Sequence, residues 1–409
     1  MSNVVQRFLR YVQFDTQSSE TTQAVPSTPG QLEFGRLLID ELHELGINDA
    51  YLSEYGVVYA TLPSNMDKEV PIVGFIAHMD TSPDMAGANV SPQMVPNYDG
   101  GDITLNTDHN IVLSPKDFPS LNEYVGKDLI TTDGTTLLGA DDKAGIAEIM
   151  TALEYLISHP DVPHGTISIA FTPDEEIGAG VDHFDVEAFG ADFAYTVDGG
   201  MIGEFAFETF NAAEAKVRVQ GLSVHPGTAK GVMINSMLIA QDFINALPSD
   251  ETPATTEGYE GFYHLTSVQG TVEKTVLTYI IRDFDADVFA KRKQFLLDAA
   301  DQLNRKHGPG TFQVQLRDQY PNMRDKIEPV YHIVEVALEA IKNANLEPLV
   351  KPVRGGTDGS RLSHMGLPTP NLFTGGHNAH GKFEFIPTFA MEKAVEVILN
   401  IIALIADTD

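Results

Sequence analysis

Residues 171–180 read Phe-Thr-Pro-Asp-Glu-Glu-Ile-Gly-Ala-Gly, with three consecutive acids at Asp174, Glu175 and Glu176. They follow Gly165-Thr-Ile-Ser-Ile-Ala, a β-branched run expected to form a buried strand that Pro173 stops. Adjacent carboxylates at a strand end repel one another unless a cation sits nearby. No Lys or Arg occurs between Lys143 and Lys216 to supply one. A bound metal resolves the repulsion, with one Glu as ligand and its neighbour facing a cleft as a base. The plain alternative is a solvated acidic loop.

Five more stretches carry residues suited to such a site. His78 and Asp80 end an apolar run and, two apart on a strand, share a face. One can ligate while the other holds the imidazole in its ligating tautomer; a His capped by an Asp is the alternative. Asp141 and Asp142 precede an apolar helical stretch. Either suits a helix N-cap, and Asp141 also suits a carboxylate bridging two metals about 3.5–4 Å apart. Asp198 closes a β-type run before Gly199-Gly200, where a turn Asp is the simpler reading. His377 and His380 lie in a Gly-rich loop, and spacing alone leaves open which is a ligand. Arg354 opens Arg-Gly-Gly-Thr-Asp-Gly-Ser, a turn whose amides and guanidinium suit a carboxylate. An N-capped turn at Thr357 or Asp358 is the alternative there, and the Gly-Lys-Ser/Thr ending of a phosphate loop is missing.

Composition narrows the chemistry further. The chain has 409 residues, 58 Asp and Glu against 26 Lys and Arg, a formal net charge of -32 and no Cys. That charge argues against nucleic-acid or anionic-membrane partners. Without Cys there is no disulfide framework, thiol nucleophile or thiolate site, so His, Asp and Glu must hold any metal. Ser223 and His225 lack a Gly-x-Ser-x-Gly context, which excludes a serine-hydrolase reading. The N-terminal stretch is amphipathic and lacks a signal peptide's apolar core, and no apolar run approaches a membrane span; a soluble cytoplasmic protein is expected.

The elements that must position these residues follow from periodicity. Helices are expected over 3–14 and from Pro29 to about Leu45, then strands at 57–62 and 71–77. A Pro/Gly/Asp-rich excursion fills 82–136, and a helix runs to about Ser158. The acidic sites recur at strand ends, which in an open α/β sheet converge on one crevice. Residues 213–320 change register. Strand 213–219, helix 232–247, strands 264–272 and 275–284, helix 286–307 and strand 311–320 give the β-α-β-β-α-β order of a ferredoxin-like unit. It is an insertion, so the expected domains are 1–210, an inserted 211–322, and 323–409 completing the first.

These stretches together resemble the dinuclear zinc exopeptidases of the M20 clan. The resemblance rests on Ile76-Ala-His-Met-Asp-Thr-Ser, Gly139-Ala-Asp-Asp-Lys-Ala-Gly, Thr172-Pro-Asp-Glu-Glu-Ile-Gly, Thr196-Val-Asp-Gly-Gly, Gly221-Leu-Ser-Val-His-Pro-Gly, Arg354-Gly-Gly-Thr-Asp-Gly-Ser and Asn378-Ala-His-Gly. It implies an α/β mixed-sheet catalytic domain with an inserted ferredoxin-like α+β lid. It implies two zinc ions, with cobalt or manganese as substitutes in vitro. His78, Asp141 and Asp198 would bind one, and Asp141, Glu176 and His380 the other. Asp80 would orient His78, Glu175 would be the general base, and His225 on the lid would meet substrate and the oxyanion. Arg354 would take the substrate's terminal carboxylate, and the Asp141-Asp142 peptide is expected cis. The implied activity is release of the N-terminal residue from tripeptides, with a dipeptidase, carboxypeptidase or N-acyl amino acid deacylase of the same clan as the runner-up. A non-catalytic metal-dependent binding protein is a further alternative. Short peptides are the implied partners, and a homodimer through the lid's free sheet edge or helices is left open.

Overall fold

The computed structural model describes residues 2–408. The chain divides into two compact units, one comprising Met1–Phe207, Asp325–Lys351 and Thr357–Asp409, the other Glu208–Arg324 and Pro352–Gly356.

The first unit is built on an eight-stranded mixed sheet. Its order is Tyr51–Leu52, Val58–Leu62, Ile167–Thr172, Val73–His78, Phe193–Gly199, Asn371–Phe373, Glu204–Ala206 and Leu349–Val350. The four strands from Ile167–Thr172 to Asn371–Phe373 run parallel, in register His78↔Thr172 and Ile76↔Thr196. Both central runs are buried throughout, as strands covered on both faces must be. On one face Ile76, Ala170 and Ala194 pack with Phe184, Phe189, Leu362 and Leu367. The helix Ala140–Ser158 packs against the two central strands Val73–His78 and Phe193–Gly199, and Asn3–Tyr11 and Thr388–Ala406 pack on that helix. Gly145 lets the helix come this close: a Cβ there would lie 2.0 Å from the Val197 carbonyl oxygen. The first turn of the helix is thereby brought to the end of the strand that carries Asp198.

The excursion between 82 and 136 has more order than its composition suggests. Short strands at Gln93–Val95, Ile103–Asn106, Ile111–Leu113 and Leu129–Thr131 enclose a core of Tyr98, Leu105, Leu113, Leu121, Tyr124 and Leu129. Phe385 completes that core from the far end of the chain, bracing the loop that holds His380.

The second unit is a four-stranded antiparallel sheet in the order Phe262–Gly270, Lys274–Asp283, Asn211–Gln220, Phe312–Tyr320, the ferredoxin-like arrangement. Helices Ser236–Ala246 and Ala286–His307 cover the face bearing Ala213, Val217, Leu277, Tyr279 and Ile281. The first of these helices starts at Ser236 rather than near 232, because Asn235 accepts from the Met237 N–H at 3.0 Å and caps it. Pro352–Gly356 groups with this unit, although periodicity placed everything after 322 in the first domain. Val353 bridges to Thr209 and the Phe210 N–H donates to Gly355, pairings between segments well over a hundred residues apart. Among the described residues no helix is long and apolar enough to cross a membrane.

Charge is divided unevenly. The first unit holds 44 Asp and Glu against 13 Lys and Arg, the second 14 against 13. Like charges at this density oppose compaction, and salt screens them. Raising KCl from about 0.05 to about 0.5 M is therefore expected to raise the Tm by roughly 3–5 °C, read by circular dichroism. A flat or falling Tm would mean that close ion pairs outweigh the net repulsion.

Candidate metal centre

Three neighbouring strand ends and one helix start meet at the carboxyl edge of the first unit's sheet. Val73–His78 delivers His78, Ile167–Thr172 leads through Pro173 to Glu175 and Glu176, and Phe193–Gly199 carries Asp198. The helix Ala140–Ser158 begins with Asp141 and Asp142 across a cis peptide, both outside helical backbone angles. Neither caps the helix with its side chain. The Asp142 carboxylate instead accepts from the His78 N–H at 3.0 Å.

Asp141 presents one oxygen to each of two imidazoles. Its Oδ1 lies 2.9 Å from His78 Nε2, and its Oδ2 lies 3.3 Å from His380 Nε2. Asp198 Oδ1 stands 3.5 Å from the same His78 nitrogen, and Glu176 Oε2 2.9 Å from the same His380 nitrogen. Donor atoms of His78, Asp141 and Glu176 lie within 4.8 Å of one another, as do those of His78, Glu175 and Asp198, and of Asp141, Asp142 and Asp198.

Asp80 ties the set together. Its Oδ1 is 3.3 Å from His78 Nδ1, and its carboxylate accepts the N–H groups of Glu175 at 2.9 Å and Glu176 at 3.2 Å. One buried carboxylate thus fixes both the imidazole and the turn bearing the two glutamates. Asp174, the third acid of the run, points elsewhere. It sits at φ 54° and accepts from the Ser27 N–H at 2.7 Å and Gln31 Nε2 at 2.7 Å, which makes it a structural brace.

The electrostatics describe a site short of positive charge. Burial, reinforced by Asp198, pushes the Glu175 carboxyl well up; burial with Asp141 lifts Glu176 to about 7. Burial raises Asp198 to about 6 against the pull of His78, and Asp358, which accepts from the Thr172 hydroxyl at 2.6 Å, to about 7. Burial opposes a charged His78, but Asp198, Asp141 and Asp80 outweigh it and hold its pKa well above the usual value. Hydrogen bonds to Asp141 and Glu176 raise His380 to about 11. Lys143 is the one Lys or Arg at the start of this helix, but its Nζ donates to the Phe14 carbonyl oxygen at 2.7 Å. Two buried oxygens, Glu176 Oε1 and Asp142 Oδ1, have no hydrogen-bond partner. A hard or borderline cation fits this donor set of carboxylate oxygens and imidazole nitrogens, and it would relieve both the repulsion and the orphaned oxygens.

The choice between His377 and His380 that spacing left open is made by packing. His377 Nε2 is 2.7 Å from the Tyr124 hydroxyl, and its ring stacks on Phe385 with centroids 4.7 Å apart. Burial lowers its pKa to about 4, so it is a neutral packing residue. His380 turns toward the acids, with its other nitrogen 3.6 Å from the exposed carboxylate of Asp84.

His225 and Arg354 belong to the second unit. His225 is exposed; its Nδ1 accepts from the Gly227 N–H at 3.1 Å, which leaves the proton of the neutral ring on Nε2. Arg354 is already engaged. Its Nη1 donates to the Gly258 and Glu260 carbonyls, both at 2.8 Å, and its Nη2 to the Thr256 hydroxyl at 2.9 Å. The guanidinium lies over Phe210 and Phe262, at 5.2 and 5.7 Å. These contacts join the 256–260 loop to Pro352–Gly356, and the expected pairing of Arg354 with a terminal carboxylate stands as a proposal beside them.

Glu384 escaped the sequence reading. It is 1% exposed, and its carboxylate accepts the N–H groups of Leu138 at 2.7 Å, Gly139 at 2.8 Å and Asp141 at 3.1 Å. The only local hint was an acid between two phenylalanines, Phe383 and Phe385.

The profile of the peptidase family M20/M25/M40 matches residues 133–404. Peptidase T of Desulfitobacterium hafniense is 65% identical over 407 residues, covering 100% of this chain and 99% of its own. Peptidase T of Halothermothrix orenii is 62% identical over 406 residues, covering 99% and 100%. Among solved structures, the aminopeptidase PepT of Bacillus cereus superposes with a TM-score of 0.76 at 24% identity, covering 99% of this chain and 98% of its own, a likeness of fold.

Proposed function

This chain belongs to the peptidase family M20/M25/M40, and from that premise we propose that it is a metal-dependent aminopeptidase that removes the N-terminal residue of tripeptides. The observation that carries the metal-centre reading is Asp141, whose two oxygens face two different imidazoles, each with a further carboxylate beside it. We assign one divalent cation to His78, Asp141 and Asp198 and a second to Asp141, Glu176 and His380, with zinc as the ion. When bound, two such ions bring the pKa of a shared water toward neutral and polarise the scissile carbonyl.

The residues around them supply the rest. Asp80 keeps the proton of His78 on Nδ1, so that Nε2 presents its lone pair. It also holds Glu175 in place through the backbone. Glu175 is the base: it accepts a proton from the attacking water and delivers it to the leaving amine. A carboxylate whose pKa burial has raised is suited to returning that proton. His225, whose Nδ1 accepts a backbone N–H and leaves Nε2–H to donate, is our candidate donor to the oxyanion. Short peptides are the substrates, and the cytoplasm is the compartment we assign.

Product analysis by mass spectrometry tests the reading. Zinc- or cobalt-reconstituted protein given matched di-, tri- and tetrapeptides is expected to release the first residue of tripeptides alone. Cleavage of dipeptides or acylated amino acids instead would move the function to a sister activity on the same metals. Intact peptides in the presence of bound metal would point to a binding protein.

A further inference from the structure

We propose that Glu384 is the positioning residue for Asp141, holding the turn from which that carboxylate faces both imidazoles. The inference rests on reading Asp141 as the shared ligand. Residues 138–141 precede the first regular turn of the helix Ala140–Ser158, where N–H groups lack helical partners. Gly139 sits at φ 81° and no side chain of the segment caps it. Glu384 reaches in from over two hundred residues away. Its Oε2 accepts the Leu138 and Gly139 N–H groups at 2.7 and 2.8 Å, and its Oε1 takes the N–H of Asp141 itself at 3.1 Å. A carboxylate at a helix start is favoured by the helix dipole, so the contact is electrostatic as well as geometric.

Glu384 belongs to the same short loop as His380. The backbone of His377 pairs with that of Phe385, at 2.9 and 3.1 Å, closing the loop, and the Asn378 amide donates to the Phe383 carbonyl at 3.0 Å across it. One loop therefore presents His380 to Asp141 Oδ2 and clamps the backbone of Asp141 from behind. This double attachment ties the position of Asp141 to that of His380.

The two oxygens of Glu384 do different work, and glutamine separates them. Glu384→Gln can keep one oxygen on Leu138 and Gly139, but it turns an NH2 toward the N–H of Asp141 and repels it. The expected result in cobalt(II) titrations of the purified full chain is one tight site and a second weakened about 10- to 100-fold, with an altered d–d absorption band. On the loaded enzyme kcat falls at least ~10-fold, while KM stays within about 3-fold. Glu384→Asp keeps the charge one methylene short and is expected to weaken the second site likewise. Either folded variant taking up two cobalt ions with the wild-type band and affinity would overturn the proposal, whatever its Tm. If the wild-type chain binds only one cobalt, the shared-ligand reading itself fails, and the two failures are distinct.

Discussion

Glu175→Gln is expected to lower kcat roughly 1,000-fold on a tripeptide while the protein keeps two equivalents of metal. Of the two adjacent glutamates, Glu176 turns its Oε2 to His380 at 2.9 Å, which commits it to the ion pair. Glu175 shares a donor cluster with His78 and Asp198 and has no contact with His380 in that set. The substitution conserves shape and leaves intact the N–H of residue 175 that donates to Asp80. Metal content by mass spectrometry and Tm should therefore stay near wild type, with KM changed by less than ~3-fold. The same substitution at Glu176 should instead cost metal. Equal metal loss in the two variants would remove the distinction between base and ligand. A Glu175→Gln enzyme within about 10-fold of wild type would assign the proton transfer to another group.

Stripping the metals is expected to make stability fall as pH rises, while the reconstituted protein stays nearly flat. In the metal-free site burial and neighbouring carboxylates hold Glu176 and Asp358 at about 7 and Asp198 at about 6, with Glu175 and Asp142 displaced upward as well. Ordinary carboxyls ionise near ~4, so between about pH 4 and 7 the folded chain keeps protons that the unfolded chain has released. Stability then declines with pH across that window. His380, raised to about 11, and His78 act in the same direction above about 6.5, the ordinary His value. Asp141 has the opposite sign. Burial opposes its ionisation, but His380 and His78 hold its pKa below the usual value, so its contribution is lost only in acid. Bound cations take the place of these protons, and their affinity rises with pH. Calorimetry at about pH 5.5 and about pH 8.5 should show the Tm gap between loaded and stripped protein widening to ~10 °C at the higher pH. A gap that is constant or narrows with pH would mean that the carboxylates are not the cation site.

Much of this was open to a reading of the chain alone. The alternation at 213–219 and 275–284 reflects one buried sheet face, so the ferredoxin-like insertion follows from period-two burial. The apolar runs ending in His78 and Thr172 are buried on both faces, so charged residues at their ends must lie at the sheet's edge. Absence of Cys restricted a metal to His and carboxylate before any geometry was known.

Other outcomes rested on partners far away in the chain. Asp141 and Asp142 suit helix caps by local rules, and neither is one, because the Asp141 oxygens face His78 and His380 while the Asp142 carboxylate accepts the His78 N–H. His377 and His380 are chemically identical three residues apart; Tyr124 and Phe385 enclose one, and Glu176 and Asp141 face the other. Arg354 carries a charge suited to a carboxylate, and the fold adds contacts from its Nη1 to the carbonyls of residues 258 and 260. What the sequence determined by itself was the kind of chemistry and the elements that carry it, since residue type, strand alternation and helix period are local properties. Which oxygen faces which imidazole, and which charges are already engaged, only the tertiary structure decided, because a hydrogen bond's partner is set by where two distant segments pack and leaves no trace in the neighbours of either.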